Sequence, residues 1–261
     1  MKRVVVLSDF HCGSKVGLTP PEYQYDLDTP AGAVQKLYWD FFKENTEALK
    51  PIDLLILNGD AIDGTGERQG GTDQKTTDRA EQMKMARRCI EVCEPGALLM
   101  TYGTPYHVGA SEDWEGELLE KCRETMGLSE ARIGANEDAE VNGLVINCKH
   151  SVGGSQIPHG RHTAVARERL WNQLWAERGQ RPKADILIRS HVHYLAYCGG
   201  PDWLALTTPG LQGLGSKYGT RQCSGIVDFG FVYFEVESRE KWWWGERIMP
   251  LSAVPAKPMV V

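Results

Sequence analysis

Five of the seven histidines fall into an ordered series with two aspartates. A pair of divalent cations requires carboxylates that offset their charge, neutral imidazoles, and at least one oxygen ligand that both cations share. The series contains each of these groups, so it predicts a two-metal site, whose usual chemistry is hydrolysis by an activated water. In chain order the series reads Asp9-Phe10-His11, Gly59-Asp60, His107, His150 and His191-Val192-His193.

Each member of the series follows an apolar run that predicts a β-strand. Open α/β sheets form their sites at the carboxyl ends of strands, so these side chains are expected to meet. Alternate residues of a strand share a face, which would place Asp9 beside His11 and His191 beside His193. The predicted strands are 1–8, 53–58, 98–102, 144–148 and 185–189.

The remaining pattern predicts one layered α/β domain over residues 1–261. Strand and helix alternate first, and a run of strands follows, which indicates a parallel sheet with an antiparallel portion. The run Trp242-Trp243-Trp244 predicts a strand whose first and third indoles pack on one side. Helices are expected at 31–49, 75–93, from Ser111 onward and at 163–178, and further strands at 202–208, 230–238 and 241–249.

Charge and composition limit the classes of partner that the chain could bind. The net charge of −6 argues against a broadly basic nucleic-acid-binding surface. No apolar run is long enough to cross a bilayer, and no signal sequence opens the chain, so we expect a cytoplasmic protein without a membrane partner. The seven scattered cysteines predict buried, reduced thiols, with Cys12 as the one thiol that could be open to oxidation.

The series resembles the motifs of the calcineurin-like metallophosphoesterase superfamily, namely Asp-x-His, Gly-Asp-x-x-Asp, Gly-Asn-His, a lone His and Gly-His-x-His, from Asp9 to His193. The resemblance implies a four-layer α/β/β/α sandwich that hydrolyses phosphate esters with two divalent cations. Manganese is expected first, with iron, zinc or nickel as alternatives. By the resemblance, Asp60 bridges the two metals, and the ligands are Asp9, His11, Asp60 and His193 for one metal and Asp60, His150 and His191 for the other.

The chain departs from the superfamily pattern before His107. Gly103-Thr104-Pro105-Tyr106-His107 replaces Gly-Asn-His, so the amide ligand is missing. Thr104, Tyr106 or water could take its place while His107 acts as general acid, which is the interpretation we favour. Alternatively, His107 itself ligates the metal.

Two further positions differ from the family. Ser190 replaces the glycine before His191, a small-for-small change that should be tolerated. Gly64 stands where the serine/threonine protein phosphatases carry an arginine, and the loss of that phosphate ligand argues against this branch.

Four other side chains are candidates for a role around the metals. Asp63 is expected to accept the spare N–H of a ligand histidine. His159, Arg161 and His162 lie in a predicted loop after His150 and are candidate substrate-binding residues, with Arg161 gripping a phosphate. Arg68, in the loop after Asp60, is a weaker candidate of the same kind.

The sequence leaves three functions open. A phosphodiesterase or nuclease-like enzyme is slightly favoured, with a phosphate ester, a nucleotide or nucleic acid as substrate. A nucleotide or protein phosphomonoesterase is the second alternative. A binding module on a degraded metallophosphoesterase scaffold is the third, and the oligomeric state stays open.

Overall fold

Two β-sheets lie face to face at the centre of the molecule. The computed structural model describes residues 1–67, 70–109, 111–155, 157–214 and 227–250. The first sheet has the strand order β11–β10–β1–β2–β3–β4, and the second has the order β5–β6–β7–β9–β8. The strands are β1 Lys2–Leu7, β2 Leu54–Asn58, β3 Leu98–Thr101, β4 Ala131–Gly134, β5 Glu137–Val141, β6 Leu144–Cys148, β7 Ile186–Arg189, β8 Ala196–Gly200, β9 Trp203–Thr207, β10 Phe229–Val236 and β11 Trp242–Met249.

Parallel strands form the middle of each sheet, and antiparallel strands form edges. Strands β1 to β4 pair in parallel, whereas β10 and β11 add to β1 in antiparallel fashion. In the second sheet β6, β7 and β9 are parallel, with antiparallel β5 and β8 at the two edges. This is the mixed parallel and antiparallel arrangement that the sequence predicts.

Strand β1 shows why the sheets stack. Its residues are apolar on both faces, as is usual for a strand covered on two sides. Val4 and Val6 face the second sheet and pack with residues such as Ile186. Val5 and Leu7 face the opposite way, into the core beneath the helices.

Helices cover the outer face of each sheet. The outer core of the first sheet includes Phe42, Met83 and Leu118, one from each covering helix. Val165 packs on Leu187 of the second sheet. The layers therefore run α/β/β/α, and the four-layer prediction is confirmed. The helices are α1 Pro30–Glu47, α2 Arg79–Cys93, α3 Pro105–Val108, α4 Trp114–Met126 and α5 Pro158–Glu177, with one turn of 3₁₀ helix at Pro21–Tyr23.

Two helices begin later than the sequence predicts. Helix α2 starts at Arg79 because the Asp78 carboxylate caps it, accepting from the amide of Ala80. The amide of Lys75 is instead used on the carbonyl of Gly13. Helix α4 is capped by Asp113 rather than Ser111. The sequence offers several acceptable caps in each case, and tertiary contacts select one.

Helix α5 begins earlier than predicted, at Pro158 rather than at about Thr163. Proline is favoured in the first turn of a helix, where its missing N–H is not needed. The predicted loop over His159, Arg161 and His162 is therefore wrong, since all three lie on the first turns of α5.

The tryptophan run and the cysteines follow the predictions in large part. Trp242 and Trp244 pack against the core between the sheets, whereas Trp243 is exposed. The six described cysteines are free thiols, five of them buried. Cys12 is fully buried and donates to the carbonyl of Leu18, so the idea that it is open to oxidation is wrong. No helix in the described ranges is long and apolar enough to cross a membrane.

Candidate metal centre

The residues of the series lie just beyond the ends of five strands. Strands β1, β2, β3, β6 and β7 end at Leu7, Asn58, Thr101, Cys148 and Arg189. The residues that follow these strands come together in three groups. In each group the atoms that could bind a metal lie within 4.8 Å of one another. The groups are Asp9, His11 and His193; His11, Asp60 and His107; and Asp60, His150 and His191.

Left-handed backbone, rather than strand alternation, sets the directions of these side chains. Seven non-glycine residues in the described part of the chain have left-handed φ angles, and five of them belong to the three groups. Such residues are uncommon and tend to collect at functional sites. Asp9 and His11 do lie in one group, as expected. The expected cause, alternation along a strand, is wrong, because both residues have left-handed backbone. The five are Asp9, His11, Asp60, His191 and His193, with φ of 52°, 45°, 53°, 74° and 51°.

Three ligand atoms of the first group point at one another. Nε2 of His11 and Nε2 of His193 are 3.3 Å apart, and Nε2 of His193 is 3.1 Å from Oδ1 of Asp9. Asp9 is fully buried, and its Oδ1 has no hydrogen-bond partner among the described residues. A buried acceptor without a donor, beside two converging imidazole nitrogens, has the donor set that a divalent cation needs.

Asp60 is the centre of the second arrangement. Its Oδ2 is 3.0 Å from Nε2 of His150. Thr104 donates its amide to Oδ1 of Asp60 at 2.6 Å and its hydroxyl to Oδ2 at 3.1 Å. The same hydroxyl oxygen lies 3.4 Å from Nε2 of His150 and 3.3 Å from Nδ1 of His191. Of the residues weighed for the place of the missing amide, Thr104 is the one that lies among Asp60, His150 and His191.

Hydrogen bonds at Nδ1 orient three of the imidazoles. His150 donates Nδ1–H to the carbonyl of Asn58 at 2.7 Å, and His107 donates to the carbonyl of Asp63 at 2.9 Å. His11 donates to Oδ1 of Asp63 at 2.9 Å, which is the contact expected of Asp63. Each bond fixes the tautomer and leaves Nε2 free to ligate, as is usual around bound metals.

The charges of the groups favour positive charge at their centre. Burial acts to raise the pKa of Asp9, but His193 and His150 outweigh it and hold the pKa at about 2. Burial acts to lower the pKa of His150, but Asp60 and Asp9 raise it to about 10. The pKa of Asp60 is well below its usual range, because His150 outweighs the effect of burial. The carboxylates of Asp9 and Asp60 are therefore ionised, and the neighbouring imidazoles offset their charge.

His107 has a different environment from His150. Its pKa is lowered, first by burial and then by the neighbouring His11. The two rings stand edge to face with centroids 4.5 Å apart. His107 therefore lies at the rim of the groups as the less basic imidazole, in position either to ligate or to transfer a proton.

Glu115 is a site residue that the sequence analysis missed. It lies on the first turn of α4, is 1% exposed, and uses both carboxylate oxygens on backbone amides. Oε1 accepts from Ala61 at 3.0 Å and Oε2 from Gly103 at 2.7 Å. These amides adjoin Asp60 and Thr104, so Glu115 ties the two loops that carry them. Gly103 itself has no room for a side chain, because a Cβ there would overlap Asp60.

The predicted substrate-binding residues are only partly near the groups. The Arg161 guanidinium stacks 4.0 Å from the ring centroid of Tyr194, the residue after His193. His162 donates Nδ1–H to the carbonyl of Tyr197 on β8 and joins none of the three groups. His159 is an exposed residue on the first turn of α5 and joins none of the three groups. Arg68 lies outside the described residues.

No protein-family model matches the chain, and no curated protein matches it. Solved structures do resemble it in fold. An archaeal phosphodiesterase is similar at TM-score 0.49 and 12% identity, over 95% of this chain and 99% of that one. Zinc-complexed Vps29 from Entamoeba histolytica is similar at TM-score 0.42 and 13% identity, over 94% and 98%. A predicted phosphoesterase from Streptococcus pneumoniae is similar at TM-score 0.40 and 10% identity, over 94% and 98%.

All three solved structures are less than 25% identical to this chain. Their TM-scores all lie below 0.5. The four-layer architecture is established by the strand order and packing of this chain itself.

Proposed function

We propose that this chain is a dinuclear metal-dependent phosphoesterase, with phosphodiesters slightly favoured over phosphomonoesters as substrates. The observation that carries the proposal is the convergence of three aspartate–histidine groups. His11 belongs to the first and second groups, and Asp60 belongs to the second and third. Asp9, His11, Asp60 and His193 would hold one cation, and Asp60, His150 and His191 the other, with Thr104 supplying the remaining oxygen. Manganese is the first expectation, and iron, zinc or nickel are the alternatives.

Two bound cations would lower the pKa of an attacking water and offset the charge of the phosphoryl oxygens. The side chains of the protein hold this arrangement in place. Asp63 fixes the ring of His11, and the carbonyl of Asn58 fixes the ring of His150. Thr104 holds both oxygens of Asp60, which keeps the shared carboxylate in one orientation.

His107 is proposed as the general acid. Its Nδ1 is occupied by the carbonyl of Asp63, which leaves Nε2 to donate a proton to the leaving oxygen. A lowered pKa makes the imidazolium a stronger acid once it is protonated. Arg161, held on Tyr194 beside His193, is proposed to contact a phosphate oxygen. His159 and His162 stay predictions.

The surroundings of Gly64 argue that the substrate is not a phosphoprotein. Its φ is +76°, and a Cβ there would overlap the backbone of His107. Gln82 holds the peptide groups of Gly64 from both sides, at 2.9 and 2.8 Å. An arginine at this position would displace the turn that carries His107, so the phosphate ligand of the protein phosphatases is sterically excluded here.

Activity of purified protein with manganese on bis-p-nitrophenyl phosphate and p-nitrophenyl phosphate tests the proposal. Activity on the diester supports a phosphodiesterase, and activity on the monoester alone supports a phosphomonoesterase. Metal binding without activity on either supports a binding module. Asp60→Asn should abolish activity and reduce the bound metal, whereas Asp40→Asn, an exposed matched control, should leave both unchanged. Full activity and full metal content in Asp60→Asn would refute the proposal.

His107→Asn separates the two roles of that residue. A general acid contributes about 10²- to 10⁴-fold to the rate, so kcat on an alkyl phosphate ester, whose leaving group has a high pKa, should fall by that factor while the metal content stays at two. Loss of one metal in His107→Asn would instead make it a ligand. An aryl leaving group of low pKa should reduce the kcat defect if His107 is the acid, since such a group needs no proton.

A further inference from the structure

Helix α5 carries an exposed apolar face whose surroundings are basic. Leu170, Trp171, Leu174 and Trp175 are exposed to 55%, 52%, 45% and 42%. Adjacent exposed tryptophans and leucines of this extent are typical of binding surfaces. Over residues 161–183 the chain has six cationic and two acidic residues, a net charge of +4, although the whole chain has −6.

A cavity of about 140 Å³ opens beside the two tryptophans. Trp171 and Trp175 line this cavity together with polar residues, among them asparagines and Arg181. Arg181 donates to the carbonyl of Asn136 and to Oδ2 of Asp138, both at 2.6 Å. Its Nε is buried and has no acceptor among the described residues. The cavity therefore combines flat aromatic walls with a donor that lacks an acceptor.

Positive charge around this surface exceeds the negative charge available to pair with it. Arg189 and Lys149 share the single carboxylate of Glu168, at 2.8 and 3.0 Å. None of the ion pairs formed within the described ranges involves Arg167 or Arg178. A polyanion is the partner whose charge complements such a surface.

We propose that this face of α5 binds single-stranded nucleic acid. Bases would stack on Trp171 and Trp175, one of them entering the cavity, and phosphates would contact Arg167 and Arg178. Aromatic rings interleaved with cations are the usual means of binding single strands without sequence preference. An anionic membrane would use the leucines and arginines but not a recessed polar cavity, so the observations favour a nucleic acid.

The surface is connected to the candidate metal centre. The Arg167 guanidinium lies against Gly153, three residues after His150. Arg167 and Trp171 are four residues apart and so lie on adjoining turns of α5, about 6 Å along the axis. A strand bound along α5 therefore leads toward the metal ligands. The binding surface itself needs no metal, whereas its use as a substrate groove rests on the proposed function.

Fluorescence anisotropy with a 5′-labelled twelve-residue oligothymidylate, measured in EDTA, tests the tryptophans. Trp171→Ala/Trp175→Ala should weaken binding at least about tenfold, since each of the two stacked bases contributes about fivefold or more. Trp171→Phe/Trp175→Phe keeps aromatic faces and should lose only a few-fold. Trp243→Ala, which removes an indole 43% exposed on β11, is the matched control and should bind like wild type. Equal binding by the double alanine variant would overturn the proposal.

Salt dependence tests the arginines. Arg167→Ala/Arg178→Ala should reduce the slope of log K against log salt by about 1.4, from about 0.7 for each phosphate contact to a single strand. Arg88→Ala/Arg123→Ala removes two cations that are about as exposed elsewhere and should leave the slope unchanged. An unchanged slope in the first variant would overturn the phosphate contacts.

Other occupants give distinct results. Equally tight binding of a twelve-base-pair duplex would contradict stacking. Binding of phosphatidylserine vesicles without oligonucleotide binding would assign the face to a membrane. A dimer that Trp171→Ala/Trp175→Ala dissociates, again without oligonucleotide binding, would assign it to a second copy of the chain. Because the anisotropy assay contains no metal, a negative result there leaves the esterase assay unaffected, and an inactive esterase leaves the binding result unaffected.

Discussion

Glu115→Gln is expected to loosen the candidate metal centre without touching a proposed ligand. The carboxylate of Glu115 accepts from the amides of Ala61 and Gly103, at 3.0 and 2.7 Å. A glutamine of the same shape has one acceptor oxygen, so its NH₂ group must face one of these two N–H donors. The loops that carry Asp60 and Thr104 would then lose part of the link through residue 115 and would depend more on the two bonds from Thr104 to Asp60.

The magnitude follows from the contacts. Losing one hydrogen bond to a charged acceptor costs about 1.5–3 kcal/mol, and leaving a buried N–H without an acceptor costs about 1–3 kcal/mol. Burial opposes the loss, since it raises the pKa of Glu115 to about 7 and the neutral amide avoids that desolvation. The free energy of unfolding should therefore fall by about 1–2 kcal/mol, the lower part of the range for one unsatisfied buried N–H, which is a measurable change.

Urea denaturation and calorimetric manganese titration measure the two consequences. Glu117→Gln is the matched control, because it removes a carboxylate from the same first turn of α4 but an exposed one. Both variants lose the same favourable interaction with the helix N-terminus, so their difference isolates the amide contacts. If the two variants have equal stability and equal manganese affinity, the role assigned to Glu115 is refuted.

Three further predictions follow from the same geometry. Thr104→Asn should tighten manganese binding several-fold, because an amide oxygen is a better ligand than a hydroxyl; calorimetry showing equal or weaker affinity contradicts this. Glu168→Gln should lower the free energy of unfolding by about 3 kcal/mol, because it leaves the buried Arg189 without its anion. The pKa of Glu168 is lowered, because the effect of Arg189 outweighs that of burial. The stabilisation by Glu168 is therefore present above about pH 4.3 and is lost as the pH falls further. The variant should accordingly lose less stability than wild type between neutral and acid pH in urea melts, and an unchanged pH dependence would contradict this prediction. Manganese at a hundredfold excess over Kd should stabilise the protein by about 2.7 kcal/mol for each bound ion relative to EDTA in thermal melts, and an equal gain in Asp60→Asn would show that the ions bind elsewhere.

The ends of the buried strands were predictable because two signals coincide there. An apolar run of four to six residues marks each central strand, and a histidine or aspartate follows two residues after the end of β1, β2, β6 and β7. Asp9, Asp60, His150 and His191 were found in this way, and the structure places all four in the three groups that could hold a metal ion. The position of these four residues beyond the ends of buried strands thus follows from the strand pattern, whereas the directions of their side chains do not.

Edge strands were missed for the opposite reason. Strands β4, β5 and β8 are short and half-exposed. In β5, for example, three of the five residues are acidic. Their pairing depends on a neighbouring strand rather than on their own hydrophobic pattern. Glu115 was missed because acidic residues are common in the first turn of any helix. Nothing local distinguishes it from the exposed Glu117.

The backbone of the ligand loops explains why neither strand pattern nor motif spacing is sufficient to build the site. A left-handed residue that is not glycine costs about 1–2 kcal/mol, and five such residues collect here. Glycine would remove the cost, but it has no side chain to ligate. The loops instead hold one another: Asp9 donates its amide to the carbonyl of Gly59 at 3.0 Å, and His11 donates to that of Asp60 at 3.1 Å. Hydrogen bonds to the turn after β2 therefore stabilise the strained conformation of the turn after β1. The parallel pairing of these two strands thus positions the proposed ligands before any ion binds.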